Sequence, residues 1–543
     1  MRQLAAGFFL GLVVAPLVLA AAVYLYLVWW LERPPAIAPG STLVIKLEGE
    51  LSERPSVDSL STFELWWLLH QATSDSRIAR LLIQPRALVA GWAKLAEVRQ
   101  AILQFRASGK PVLATLRTPG LKDYYVASAA NRITLPPSDF VDVKGLRAEL
   151  LYARTLLDKF GIAPEFEAVG RYKDGPDLFT RSTMSELTRE VVNELLDARM
   201  NEFVQAVAAG RNRSREEVRA WVDQGPMLAP EALRHGFVDG LEFEDLGTPA
   251  QETRLEARDY LRTVARGERR VAIVALTGDI LPPTWSWLLQ EVMALESYGP
   301  ILHALGQDPS IRGVILRIDS PGGDAVAADE IRHQVKQLAA KKPVVISLAD
   351  IAASGGYAVS LAGAPVVCYP QTLTGSIGVF YGKFSLEKLY ERSGIRKELL
   401  TRGRFAAIDS EARSLSPQER EKLRSSLEES YRQFVGEVAA ARKMSFASVD
   451  RVAQGRIWLG EQAKQHGLVD ELGGFDKAIA LLRQKAGLTG SLRFELYPKI
   501  SRWREWLGLL DRLRQAERYI RRLPVTSDSR VWWRAPAVPE QLR

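Results

Sequence analysis

Val344-Val345-Ile346-Ser347-Leu348 leads into Ala352-Ala353-Ser354-Gly355-Gly356-Tyr357, and an altered version of this passage stands near 230 residues earlier, with Leu121 in the place of Ser354. The correspondence extends both ways from that point. Asp75-Ser76-Arg77-Ile78 matches Asp308-Pro309-Ser310-Ile311, and Gly109-Lys110-Pro111-Val112 matches Lys341-Lys342-Pro343-Val344. Gly170-Arg171-Tyr172 matches Gly403-Arg404-Phe405, and His235-Gly236-Phe237-Val238-Asp239 matches His466-Gly467-Leu468-Val469-Asp470. A spacing this regular over most of the chain marks an internal duplication. Two of the differences between the copies stand out chemically: Ser354 faces Leu121, and Lys173 faces Ala406. One copy keeps a serine, the other a lysine.

Each copy alternates strand-like and helix-like stretches. Val271–Leu276, Gly313–Ile318 and Val344–Leu348 are short apolar runs of the kind buried in a sheet. Asp329–Ala340 carries Ile331, Val335 and Leu338 at helical spacing. Pro417–Arg442 reads as a long helix opened by Ser416, with Glu419 at the capping-box position. Such alternation predicts an α/β fold, a βαβ-type sheet with helices on its faces, built twice. The expected organisation is an anchor at 1–33, a first repeat at 41–245, a linker at 246–270, a second repeat at 271–487 and a basic tail at 488–543.

From Leu4 to Leu31 there is no charged residue. A helix of that length would rise roughly 42 Å, and a bilayer core needs about 30 Å. Tyr24, Tyr26, Trp29 and Trp30 close the run as an aromatic belt would. A cleaved signal peptide is the rival, since Leu19-Ala20-Ala21-Ala22 is rich in small residues, but apolar residues continue beyond it. An uncleaved, single-pass anchor is the expectation. Arg2 and the free amine favour a cytoplasmic N-terminus against Arg33 on the far side.

The net charge of +8 over 543 residues is too small to mark a nucleic-acid partner. Much of it lies in the tail. Arg502, Arg504, Arg512, Arg514, Arg518, Arg521 and Arg522 alternate with Trp503, Trp506, Leu507, Leu510, Leu513 and Ile520, a pattern that suits a basic amphipathic helix on a bilayer surface or one packed on its own domain. The single cysteine, Cys368, excludes an intrachain disulfide and sits in an apolar run as core. No phosphate-cradling Gly-x-x-x-x-Gly-Lys-[Ser/Thr] loop occurs, so ATP is not expected as a partner, and no cofactor or metal is expected.

Two glycine-rich elements follow strands of the second copy: Asp319-Ser320-Pro321-Gly322-Gly323-Asp324 and the passage around Ser354. Either could be a tight turn and nothing more. The first copy, however, folds with Leu88-Val89-Ala90 and Leu121-Lys122-Asp123 in these places, so the fold does not require the glycines. Bare backbone beside a serine suits the binding of an oxyanion. The serine needs a base, and the five histidines are poorly placed. His235 and His466 recur in both copies as a structural pair would, while His70, His303 and His333 fall on or beside helical stretches. A lysine can replace histidine if it is neutral. Lowering it from about 10.4 to near 7 takes about 4 kcal/mol of desolvation or like-charge pressure. Most lysines are solvated surface charges, and Lys173 stands out only by its asymmetry between the copies.

These motifs resemble the signal peptide peptidases of the SppA type, serine proteases of peptidase family S49 with a ClpP/crotonase-like fold. The resemblance rests on Ser320-Pro321-Gly322-Gly323, on Ala353-Ser354-Gly355-Gly356-Tyr357, on Leu373-Thr374-Gly375-Ser376-Ile377-Gly378, and on Tyr172-Lys173 followed by Phe179, Arg181 and Met184-Ser185. It implies Ser354 as nucleophile, Lys173 as general base, and Ser376 as a residue that holds the lysine. It implies the Gly323 and Gly355 amides as oxyanion hole. The histidine that a ClpP enzyme would carry about two dozen residues after the nucleophile is absent. Asp174-Gly175 follow Lys173 where the family commonly has small residues, and a carboxylate there would raise the lysine's pKa. The implied substrates are cleaved signal peptides and other unfolded apolar peptides, met at the lipid bilayer. The implied assembly is a bowl-shaped homotetramer, with its catalytic part on the periplasmic side of a bacterial inner membrane. An inactive anchored scaffold is the alternative. A crotonase-like CoA enzyme is a third reading, which an extracytoplasmic location disfavours.

Overall fold

The computed structural model describes residues 35–56, 59–243, 253–264, 267–282 and 292–499, together with the backbone of 532–534. The anchor expected at 1–33 and the basic amphipathic stretch between Arg502 and Arg522 lie outside the described residues. Among the described residues, no helix is long and apolar enough to cross a membrane.

The first repeat is built on a parallel six-stranded sheet. Its strands β1 (Ser41–Glu50), β2 (Ile78–Val89), β3 (Val112–Thr115) and β4 (Arg132–Leu135) lie side by side, flanked by Gly240–Leu241 and Arg254–Glu256. The second edge strand comes from the polar connection at 246–270, which also forms a helix at Ala257–Thr263. Helix α1 (Trp92–Ala107) follows β2, and α2 (Leu121–Ala127) follows β3. The chain then leaves this sheet through β5 (Ala163–Val169) and returns along the long helix α3 (Glu186–Arg211).

The second repeat follows the same plan. Strands β6 (Arg269–Thr277) and β7 (Ile311–Ser320) precede the short β8 (Gly322–Asp324) and helix α4 (Ala325–Lys341). Next come β9 (Val344–Ala353), helix α5 (Gly355–Ser360), β10 (Leu373–Gly375), β11 (Val379–Ser385), helix α6 (Pro417–Arg442) and β12 (Leu492–Tyr497). The main sheet runs Ile457–Leu459, β10, β9, β7, β6, β12, so the first residues of the expected tail complete it. All ten residues of β9 are buried, as a parallel strand covered on both faces requires. Helix α4 starts four residues before the expected Asp329, because the Asp324 side chain accepts the Ala327 N–H at 2.8 Å and caps the helix there. Helix α6 has the bounds read from the sequence, with both halves of the Ser416/Glu419 capping box formed.

The duplication is visible atom by atom. Arg211 donates to Asp239 at 2.6 and 3.0 Å, and Arg442 donates to Asp470 at 2.8 and 2.9 Å. Each aspartate also accepts a strand N–H at 2.8 Å, from Ile133 in one repeat and Val366 in the other. Tyr124 and Tyr357 each donate a hydroxyl to the carbonyl of the residue after the repeated His-Gly pair, at 2.7 and 2.8 Å. His235 and His466 both occupy helix C-caps, a structural place in both copies.

A third sheet joins the repeats. It runs Val292–Met293, Asp279–Ile280, β8, then β13 (Trp532–Arg534), β11 and β5. Strand β5 of the first repeat pairs antiparallel with β11 of the second, from Val169 opposite Val379 to Ala163 opposite Ser385. This pairing carries the chain after β5 into the second repeat.

Candidate active site

Ser354 is held in a strained turn. It follows the last residue of β9 and serves as N-cap of α5, with φ 53° and ψ −118°. A side chain in that region costs about 1–3 kcal/mol and persists only where its surroundings enforce it. Here Ser354 donates its N–H to the Gly375 carbonyl at 2.7 Å, and the Ala358 N–H donates to the Ser354 carbonyl at 2.9 Å. The Ser354 hydroxyl makes no capping bond to the helix. Ser376, next to Gly375, also has a positive φ of 50° and donates its N–H to the Arg456 carbonyl at 2.7 Å.

Lys173 arrives from the other repeat. Four residues after β5 leaves β11, its Nζ stands 2.8 Å from Ser354 Oγ, 3.0 Å from the Ser376 carbonyl and 3.1 Å from Ser376 Oγ. Lys173, Ser354 and Ser376 are all buried. Burial lowers the lysine to about 7, against the opposing pull of the Asp174 charge. That carboxylate is half-buried, its desolvation pushes it up to about 6, and it accepts the Thr188 hydroxyl at 2.7 Å. The neighbour read from the sequence as a threat to the base thus opposes the burial effect without cancelling it.

The two glycine elements converge. A Cβ placed on Gly355 would lie 3.3 Å from the Gly323 amide nitrogen, so the two backbones border one small space beside Ser354. Gly323 has φ +152°, and a Cβ there would lie 2.0 Å from the Ile280 carbonyl oxygen. A Cβ on Gly356 would lie 2.5 Å from the Ser320 carbonyl oxygen. Gly323 and Gly356 are required by close backbone approach, beyond any turn.

The corresponding corner of the first repeat is chemically closed. Leu121 stands in the serine's place, and the buried Asp123 carboxylate accepts the Leu88 and Gly120 N–H groups at 3.0 and 2.9 Å. A side chain there engages backbone donors of the loop that matches Ser320–Gly323.

Two contributors went unnoticed in the sequence. Gly455, at φ +76°, leaves room for the lysine's own backbone: a Cβ would lie 2.6 Å from Lys173 N. Its neighbour Arg456 packs over the Tyr172 ring at 4.8 Å and pairs with Glu190 and Glu194 of α3 at 2.7 and 2.6 Å. A Gln-Gly dipeptide in a loop carries no mark of this role. Cys368 is buried in the second core, its thiol pushed up to about 12 by burial. Among the described residues, no cluster of His, Cys, Asp and Glu is arranged to hold a metal ion.

The model of peptidase family S49 matches residues 104–254 and 336–489, one stretch in each repeat. Serine protease SPPA, chloroplastic, of Arabidopsis thaliana is 32% identical over 480 residues, covering 83% of this chain and 70% of that protein. Protease 4 of Salmonella typhi is 32% identical over 466 residues, covering 82% of this chain and 74% of that protein. The solved ClpP1 from Listeria monocytogenes aligns with 37% of this chain and 91% of its own, at 16% identity and a TM-score of 0.21, a likeness too slight to carry an argument.

Proposed function

The chain belongs to peptidase family S49, and from that premise we propose that it is a serine endopeptidase in which Ser354 is the nucleophile and Lys173 the general base. The observation that carries this reading is the set of three contacts at Lys173 Nζ. A neutral amine has two N–H donors and one lone pair. The Ser376 carbonyl and hydroxyl oxygens accept the two N–H bonds, which leaves the lone pair to accept the Ser354 O–H. Ser376 therefore orients the base as well as holding it.

The reaction follows from this geometry. Ser354 Oγ attacks the scissile carbonyl carbon while its proton passes to Nζ. The resulting oxyanion takes N–H bonds from Gly323 and Gly355, donors fixed in place before charge develops. Collapse breaks the C–N bond, and the Nζ proton goes to the leaving amine. Water then attacks the acyl ester and gives its proton to Nζ, and as the C–O bond to Ser354 breaks Nζ returns that proton to Oγ.

We further propose that the substrates are extended, apolar chains, cleaved signal peptides among them, taken without ATP or a cofactor. Support comes from β13: its backbone runs antiparallel to β8, with Trp533 opposite Gly323, and meets β11 at Phe380. The lane beside the oxyanion strand thus has the width of one extended chain and no more. An uncleaved N-terminal anchor, a periplasmic face of a bacterial inner membrane and a homotetramer complete the proposal; they rest on the charge-free run from Leu4 to Leu31 and on the family resemblance. A serine-directed fluorophosphonate tests the centre of the reading. It should label the wild-type protein and fail on Ser354→Ala; equal labelling of both would overturn it.

A further inference from the structure

The buried seam between the repeats carries a second set of charges, outside the dyad. Asp350 lies on β9, four residues before Ser354. Its carboxylate accepts the Gly91 N–H at 2.7 Å and the Lys94 N–H at 2.9 Å, and so caps α1 of the other repeat, whose own N-cap residue is a glycine. Close approach is required there, since a Cβ on Gly91 would lie 2.2 Å from Asp350 Cγ. The Lys94 side chain then turns into the seam. Its Nζ stands 2.7 Å from Asp319 Oδ2, 3.6 Å from Asp350 Oδ2 and 3.1 Å from the Leu51 carbonyl. Asp319 immediately precedes Ser320-Pro321-Gly322-Gly323, and its other oxygen accepts the Ile351 N–H of β9 at 3.1 Å. Beside this group, Arg317 pairs with Glu53 at 3.0 Å and Glu97 at 2.6 Å.

We propose that Lys94 of the first repeat is a positioning residue for the chemistry of the second: by clamping Asp319 and Asp350 together it fixes the Gly323 amide in register with Ser354. One side of the clamp is the root of the oxyanion loop, and the other is the strand that ends in the nucleophile. The ladder between β7 and β9 slips at this point, between Ile318 and Ser320, so strand pairing does not hold the two in register by itself. The charges around the clamp favour a protonated lysine. Burial alone would lower its pKa, yet Asp319, Asp350 and Glu53 raise it overall. A general architectural device would recur in both copies, as the Arg211–Asp239 and Arg442–Asp470 pairs do. This clamp does not recur. At the offset of 233 that relates Tyr124 to Tyr357, Ala327 stands for Lys94 and Arg86 for Asp319. The clamp exists only where the serine and the glycines are.

The inference rests on Ser354 being the nucleophile, and the experiment separates the two. Wild-type protein, Lys94→Met, Lys94→Arg and Asp319→Asn are compared by kcat and KM on a short apolar peptide, by the rate of fluorophosphonate labelling, and by melting temperature. Asp319→Asn keeps the side chain's shape and an oxygen for the Ile351 N–H, and it serves if Lys94→Met does not fold. Expected is a fall in kcat and in labelling rate of about ten- to a hundredfold in a folded Lys94→Met or Asp319→Asn, with KM within about twofold and partial recovery in Lys94→Arg. A folded variant with wild-type kcat and labelling rate overturns the proposal. Failure of the wild type itself to label at Ser354 overturns the nucleophile assignment instead.

Discussion

Lys173 Nζ stands 2.8 Å from Ser354 Oγ across 181 residues of chain, and the two belong to different repeats. Neither copy alone holds a complete site. The contact depends on β5 of the first repeat pairing with β11 of the second, which brings the lysine to the end of β9. Duplication followed by loss of opposite residues in each copy would leave this arrangement, since in the proposed mechanism a single inter-repeat seam needs only one nucleophile and one base.

Removing either partner should therefore end hydrolysis without unfolding the protein. Ser354→Ala and Lys173→Ala are each expected to lower kcat on a peptide substrate by about 10⁴-fold or more. Lys173→Arg should be equally inactive, because a guanidinium does not lose its proton and cannot accept the serine's. Circular dichroism and size-exclusion chromatography would check that the fold and assembly persist. Turnover near the wild-type rate in any of the three would sink the assignment.

Activity should rise with pH through about 7, the value to which burial lowers Lys173, because only the neutral amine acts as base. The Asp174 charge opposes that lowering. In Asp174→Asn the ammonium loses this support, its pKa falls further, and the acid limb of kcat/KM should move to lower pH. A limb that stays in place, or moves up, would exclude Lys173 as the group being titrated.

Gly455→Ala tests the pocket that receives the lysine's backbone. The new Cβ would lie 2.6 Å from Lys173 N at a residue with φ +76°, so the Lys173 loop must shift away. A displacement near 1 Å at the base is expected to reduce kcat about a hundredfold. Full activity with an unchanged pH limb would show that Gly455 does not help to place Lys173.

Substrate form should matter more than sequence. A leader peptide and a denatured protein are expected to be cleaved, a tightly folded protein to resist, and added nucleotide to change nothing. Gel analysis of product formation over time reads all three. Equal cleavage of folded and unfolded forms would be incompatible with a lane that admits one extended chain.

Strand β13 lies in that same lane, opposite Gly322, Gly323 and Asp324. Ending the chain after Lys499 should therefore raise kcat/KM on short peptides severalfold, chiefly through a lower KM. A synthetic peptide covering residues 530–536 should inhibit the shortened enzyme competitively. An unchanged KM after truncation would mean that the strand does not contest the lane in solution.

Much of the architecture is legible in the sequence. The duplication, the buried strands around Val344–Leu348 and the bounds of Pro417–Arg442 follow from local periodicity and caps, which act within a few residues of chain. Ser354, the glycines and Lys173 stood out because the other copy shows what the fold can do without. Sequence by itself determined the repeated α/β plan and the identity of these residues, since spacing and complementary loss are properties of the letters. Tertiary structure alone decided that Lys173 is buried against two acceptors of Ser376, that Asp174 turns to Thr188, that Gly455 lies against the Lys173 backbone, and that Lys94 pairs with Asp319. The reason is physical: desolvation, register between distant strands and the closeness of two backbones depend on what the rest of the chain places nearby, and no local pattern records them.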